Sequence, residues 1–547
     1  MASETGGKRK KRSYLWLIIP GLIILALIIP AVIVYQRTRN IDDWTRDWIV
    51  RALSQHFNSR VELASLHVTA FPEMSVTGEN LVVYYQHRSD VPPLIRIQQF
   101  TFHLGFMGIL RVPRHIRGVH LDEMVITIPP RGQKPENQPP PAQETGKKQK
   151  PLPQIVVDQI VADETTLLIL PKQAEKKPLD FDIHDLILKS VGVNKPFSFR
   201  GNLKNAKPVG EIKTKGDFGP WQLDDPGSTP VSGTYTFTDA NLDPFPGIAG
   251  TLSSIGKYEG VLGSIEVQGE TDTPQFSLDP VGRAVPLHTV FNATVDGTDG
   301  DTYLHPVLAT LIHSEITANG SVVRVPEKDG HLIILDAVAP KARLEDLLQL
   351  STKSTKPMMS GLVNLKTKIV LPPGKVKVLD KLTLDGEFNI TDARFASSDV
   401  RDKLASFSRH AQGMPDDPDA GSAISDLRGK FWMKNGIITF QSLTFSVPGA
   451  VIQLDGTYKV RGEDLNFTGE LRMEAKLSQM VSGKKSFFLK ALDPFFSKNG
   501  SGTVLPITIS GTRDEPTLEF SVFHKKIKKT FGNDDQSAGK DDKGGEN

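Results

Sequence analysis

The sequence predicts a mainly β protein, an antiparallel sheet held behind one N-terminal transmembrane helix. Three observations carry this. Tyr14 to Tyr35 (YLWLIIPGLIILALIIPAVIVY) contains no charged side chain. Strict period-2 alternation recurs in the later part of the chain. Helical periodicity almost disappears after Phe57.

The apolar run comes first. At ~1.5 Å per residue it spans roughly 33 Å, enough for the hydrocarbon core of a bilayer. Five consecutive cations, Lys8, Arg9, Lys10, Lys11 and Arg12, precede it, and only Arg37 and Arg39 follow closely. That asymmetry places the N-terminus in the cytoplasm and the rest of the chain across the membrane. A cleaved signal peptide would have a shorter apolar core and small residues at its end, whereas Val34, Tyr35 and Gln36 stand here. Ile41 to Phe57 reads as an amphipathic helix, with Ile41, Trp44, Trp48, Ile49, Leu53 and Phe57 on one broad face. Trp44 and Trp48 suit either the membrane interface or the end of the first sheet.

Leu465 to Leu477 (LNFTGELRMEAKL) alternates without fault. Leu465, Phe467, Gly469, Leu471, Met473, Ala475 and Leu477 face one way, and Glu470, Arg472 and Glu474 are among those that face the other. Leu382 to Ile390 and Ile452 to Val460 behave alike. Such runs are strands with one apolar and one wet face. Turns are expected at glycine steps such as Asn435-Gly436, Asp455-Gly456 and Asn499-Gly500. Short helices are expected at Ala342 to Leu350 and Val400 to His410. Gln133 to Pro153 is proline-rich without apolar pattern and reads as a disordered loop. Removing Gln133 to Lys150 is accordingly expected to leave stability nearly intact, since closure entropy changes by only about 0.6 kcal/mol per doubling of loop length. The tail from His524 reads the same way, its Lys525, Lys526, Lys528 and Lys529 being solvated rather than lipid-bound.

Composition narrows the chemistry. With 65 Lys+Arg against 63 Asp+Glu, the chain carries no net field that would suit nucleic acid. It has no cysteine, which excludes disulfides, thiolate metal sites and cysteine nucleophiles. The 13 histidines show no paired ligand spacing. His313 and Glu315 share a strand face, an arrangement usual on surfaces. Asp296 to Asp301 (DGTDGD) hints at calcium but lacks the alternating ligand order and distal glutamate of an EF-hand, so a hairpin turn is preferred. No nucleophile elbow, phosphate loop or dinucleotide fingerprint is present. The expectation is a non-enzyme with no catalytic, cofactor or metal residues.

Several segments resemble the AsmA-like family of inner-membrane-anchored envelope proteins of double-membraned bacteria. They are Val61 to Pro72 leading to Val76 to Leu81, then Gly118 to Pro129. The C-terminal part follows with Leu427 to Lys430, Leu443 to Pro448, Leu454 to Gly456, Leu505 to Thr512 and Glu515-Pro516. Pro208 to Gly210 and Phe218 to Trp221 in the middle match only envelope variants of that family. The resemblance implies a long curved antiparallel sheet forming an open groove, polar outside and apolar within, that holds acyl chains of phospholipid or another lipid. It also implies inner-membrane anchoring, a periplasmic bulk, and a part in lipid transport or outer-membrane homeostasis. The alternative it carries is a scaffold or assembly factor for outer-membrane proteins.

The expected organisation is a basic cytoplasmic N-terminus (1–13), the transmembrane helix (14–35) and an N-terminal β region (36–130). A Pro-rich loop (131–153), a middle β region (154–340), a C-terminal β region (341–523) and a disordered tail (524–547) follow. Phe467, Leu471 and Met473 are expected to meet lipid. On that reading Leu471→Glu spares the fold of an open groove and collapses a closed sandwich.

Overall fold

The computed structural model describes residues 42–55, 57, 59–69, 75–85, 91–103, 114–130, 155–173, 175–192, 195–278, 282–351, 357–421, 424–480, 502–513, 515–522 and 525–530. The predicted transmembrane segment, the whole of the Pro-rich loop (131–153) and the Asn499-Gly500 step lie outside them. Among the described residues no helix is long and apolar enough to cross a membrane. The chain is mainly β with a few short helices, and it divides into two compact units.

The first unit takes in Met1–Ile169, Asp182–Gly201 and Asp217–Pro226. Helix α1 (42–55) opens it, as its amphipathic pattern predicts. Arg46 of α1 donates to the Leu63 carbonyl through Nε at 2.9 Å and Nη2 at 2.7 Å, and Asp42 accepts from the Val68 N–H at 2.9 Å. Trp44 is 62% exposed while Ile49 is buried, so Trp44 does not cap a sheet. Strands β1 (Val61–Thr69), β2 (Ser75–Val83), β3 (Ile95–His103) and β5 (Val119–Ile128) pair antiparallel in that order, and β4 (Arg114–Ile116) precedes β5.

Strand β6 (Ile155–Ile169) breaks the expected pattern, because it runs parallel to both β4 and β5. A parallel pair needs a crossover of a dozen or more residues, and the Pro-rich segment is that crossover. Ile128 stands level with Ile169, and Arg114 with Ile155. The chain leaving β5 must therefore return the whole length of β6, about 45 Å at ~3.3 Å per residue. With Gln133 to Lys150 removed, the stubs 129–132 and 151–154 reach only about 30 Å fully extended. On this geometry the deletion is expected to cost β6 its parallel register, against what composition alone suggests. Its composition carries no core, but its length carries the register of β6.

Strands β7 (Leu179–Gly192), β8 (Phe197–Ala206) and β9 (Val209–Phe218) follow. The second unit takes in Leu170–Phe181, Asn202–Gly216 and Gly227–Asn547. In it β9 pairs with β10 (Pro230–Asn241). The meander continues through β11 (Thr251–Val261), β12 (Ser264–Phe276), β13 (Val285–Val295), β14 (Thr302–Leu311), β15 (Ser314–Arg324) and β16 (His331–Arg343). Next come β17 (Met359–Leu371), β18 (Thr383–Phe395), β19 (Ser425–Lys434), β20 (Ile437–Val447), β21 (Ala450–Lys459) and β22 (Asp464–Met473). The series ends with β23 (Thr503–Thr512), β24 (Pro516–Val522) and β25 (Lys525–Thr530). From β10 onward each strand pairs antiparallel with its successor. Helices α2 (Leu344–Ser351) and α4 (Ser398–Gln412) fall where predicted, and a single turn, α3 (Val378–Lys381), lies between them.

Three details correct the sequence reading. Residues from Lys525 to Thr530 form a strand in place of the start of a disordered tail; KKIKKT holds one apolar residue, so main-chain pairing to β24 left no period-2 signal. Asp455-Gly456 is not a turn but lies mid-strand in β21, unlike Asn435-Gly436, which does connect β19 to β20. The alternation itself shifts phase at bulges, where a polar residue takes positive φ, as at Lys341, Asp392 and Ser442. The N–H freed at each is taken by an Asx side chain of the next strand: Lys341 donates to Asn364 at 3.1 Å, Asp392 to Asp426 at 3.3 Å and Ser442 to Asp455 at 2.8 Å. Asp455 thus serves the bulge opposite it.

Candidate functional site

One face of the second unit's sheet is apolar from strand to strand. The row Ala337, Thr367, Gly386, Phe431, Phe440, Gly456, Phe467 and Ile509 is continuous in register. Along the strand interiors of β9 to β23, the described residues of this face include no Asp, Glu, Lys or Arg; Arg324 and His331 stand at the ends of β15 and β16. Val267, Leu304, Val322, Leu335 and Ile369 point to this face and are only half-buried. A core between two sheets would bury them as fully as Val363 or Ile390.

A repeated device shapes the face. Gly386-Glu387-Phe388 on β18 and Gly429-Lys430-Phe431 on β19 pair reciprocally, Gly386 opposite Phe431 and Phe388 opposite Gly429. Gly233-Thr234-Tyr235 on β10 and Gly256-Lys257-Tyr258 on β11 do the same. Each ring lies over the opposing glycine: a Cβ on Gly386 would sit 2.9 Å from Phe431 Cζ, and one on Gly256 2.7 Å from Tyr235 Cε1. The glycine leaves the space, and the ring of the opposing residue fills it. Phe388, Phe431, Phe440 and Phe467 form a chain of rings, with successive centroids 5.8–6.4 Å apart.

Helices cover part of this face. Leu344 of α2 is buried with Val363, Ile390 and Ala393. Ala411 of α4 is buried with Val447, Ala450, Leu471, Met473 and Leu505, and Leu404 and Phe407 pack beside it. Asp346 of α2, itself buried, accepts from Ser314 Oγ at 2.8 Å and the His313 N–H at 3.1 Å. Phe467, Leu471 and Met473 all point to the apolar face, while Arg472 points out and bridges Glu470 at 2.9 Å. Leu471 and Met473 sit under α4; Phe467 belongs to the ring chain. Leu471→Glu therefore probes a covered spot and does not separate a groove from a sandwich.

From β9 to β13 the same face carries hydroxyls among apolar residues such as Phe237 and Val267. Thr214 Oγ1 lies 2.6 Å from Tyr258 OH, Tyr235 OH 3.1 Å from Ser254 Oγ, and Thr271 Oγ1 2.6 Å from Thr289 Oγ1. Burial raises the pKa of both tyrosines, keeping them neutral. Periodicity does not show this face's partners; the G-x-aromatic triplets are its signal in the sequence.

Two polar clusters lie elsewhere. The DGTDGD segment is the β13–β14 hairpin turn, and the Lys176 ammonium stands 2.8 Å from Asp299 and 3.0 Å from Asp301. Burial opposes that charge, but the hydrogen bonds to both aspartates outweigh it and hold the lysine pKa above its ordinary value. In the first unit, His120 Nε2 lies 3.1 Å from Asp122 and 3.5 Å from Asp163 across β5 and β6, a half-exposed donor set of the kind that can hold a divalent ion. Asp163 comes from another strand, so sequence spacing did not signal it. His313, in the turn before β15, lies 3.6 Å from Asp346, and Glu315 is exposed.

These features define a class, an open antiparallel meander with one uncharged, largely apolar face, partly roofed by short helices. No protein-family model, curated protein or solved structure matches the chain.

Proposed function

We propose that this is a single-pass inner-membrane protein of the AsmA-like type, its bulk periplasmic, which binds lipid acyl chains along the apolar face and contributes to lipid transport or outer-membrane homeostasis. The observation that carries the reading is the half-buried, uncharged apolar stretch from Leu304 to Ile369. Burying such area is worth roughly 25 cal/mol per Å², and an acyl chain is an uncharged ligand that can cover it. The cation asymmetry around Tyr14 to Tyr35 and the exposed Trp44 support the anchoring.

The scaffold reading has its own support on the opposite face. There Val290, Leu308 and Val338 are 46%, 40% and 39% exposed, and they align in register through Thr317. The test purifies the full chain and quantifies co-purifying lipid by mass spectrometry, against a version cut after the anchor. Lipid in excess over that control is expected, and Leu335→Glu should halve it or more. A chain without excess lipid would sink this reading and promote the scaffold.

A further inference from the structure

We propose that the bound amphiphile has a fixed polarity on the sheet: its aliphatic chain on β14 to β22, and an uncharged, hydroxyl-bearing head, a glycerol or sugar, against β9 to β13. The inference rests on the lipid-binding reading and names the lipid class. The row Ser254, Thr271, Thr289, Ala309 and Ile316 is continuous in register and passes from hydroxyl to aliphatic within five strands. The two reciprocal G-x-aromatic pairs repeat the contrast, with tyrosines on β10 and β11 and phenylalanines on β18 and β19. Strand preference alone does not ask for this, since Tyr and Phe are equally at home in sheets.

The hydroxyls bond mainly to one another, and each keeps acceptor capacity for a further donor. Six of them, Thr214, Tyr235, Ser254, Tyr258, Thr271 and Thr289, share the face. A phosphate there would lose water and meet no cation along the strand interiors, a costly exchange. A neutral polyol trades water for hydroxyls at little cost.

The test uses the full chain in dioleoylphosphatidylcholine vesicles doped with one of two photoreactive dioleoyl glucolipids. One carries its diazirine on the sugar, the other at the acyl terminus, and adducts are mapped by peptide mass spectrometry. Sugar adducts are expected on β9 to β13 and acyl adducts on β14 to β22. In the Tyr235→Phe, Tyr258→Phe variant, sugar adducts should fall at least threefold with acyl adducts unchanged. Sugar adducts on β14 to β22, or an even spread, would overturn the polarity while leaving lipid binding intact. Sugar labelling untouched by the double variant would overturn it too. Neither probe exceeding a water-soluble diazirine would instead sink the lipid reading beneath it.

Discussion

The tyrosine pair on β10 and β11 and the phenylalanine pair on β18 and β19 use one backbone device with two chemistries. In both, a glycine on each strand lies beneath the ring of the other. In the first, the rings end in hydroxyls bonded to Thr214 and Ser254. In the second, Phe388 packs beside a cluster roofed by α2 and meets Phe431 at a tilt and Phe440 edge-on. The glycine sets the shape of the face, and the para position of the ring sets its wettability. The two properties are separable, one atom at a time.

The largest effect concerns the roof near the phenylalanine end. Leu471→Glu puts a carboxylate under α4 and should cost roughly 4 kcal/mol or more. Leu335→Glu, on unroofed sheet, should cost about 1 kcal/mol, because water can reach it. Urea unfolding of the full chain measures both, and equal losses would erase the distinction between roofed and open face. Next come the glycines. Gly386→Val and Gly256→Val would each bring a Cβ within 3.0 Å of an opposing ring and of a neighbouring carbonyl, so each should lose about 2–3 kcal/mol. A benign result at either position would show that the pairs are not one device.

Smaller is the hydroxyl itself. Tyr258→Phe breaks the bond to Thr214 and should lose about 1 kcal/mol in the same assay. A loss near zero would mean solvent already replaces it. The smallest is Ser397→Ala at the N-cap of α4, whose bond from the Val400 N–H is long at 3.4 Å. About 0.5 kcal/mol is expected, and a loss rivalling Leu471→Glu would mean that the roof depends on its cap and not on its packing.

Much of the architecture was legible in the sequence, for local reasons. Strand alternation around Phe467, both helices at Leu344 and Ser398, and the Asn435-Gly436 turn follow from periodicity and caps that act over a few residues. What escaped depends on partners far along the chain. Leu471 and Leu335 alternate equally well, yet α4 roofs one and not the other. Asp455-Gly456 resembles a turn, and only its neighbours, Ser442 and Phe467, show why it is a strand. The parallel placement of β6 is written in the length of the segment before it, not in its own residues. His120 and Asp163 meet across that same pairing.

The capture of each bulge N–H by an Asx residue on the following strand has a consequence for how such a chain can change. Lys341 with Asn364, Asp392 with Asp426 and Ser442 with Asp455 are settled between immediate neighbours. A hairpin duplicated or lost within the meander carries its own register lock with it and leaves the other strands their partners. The reach of the sheet is thus a quantity that duplication can lengthen or deletion shorten in steps of one hairpin, while the chemistry at its two ends stays as it was.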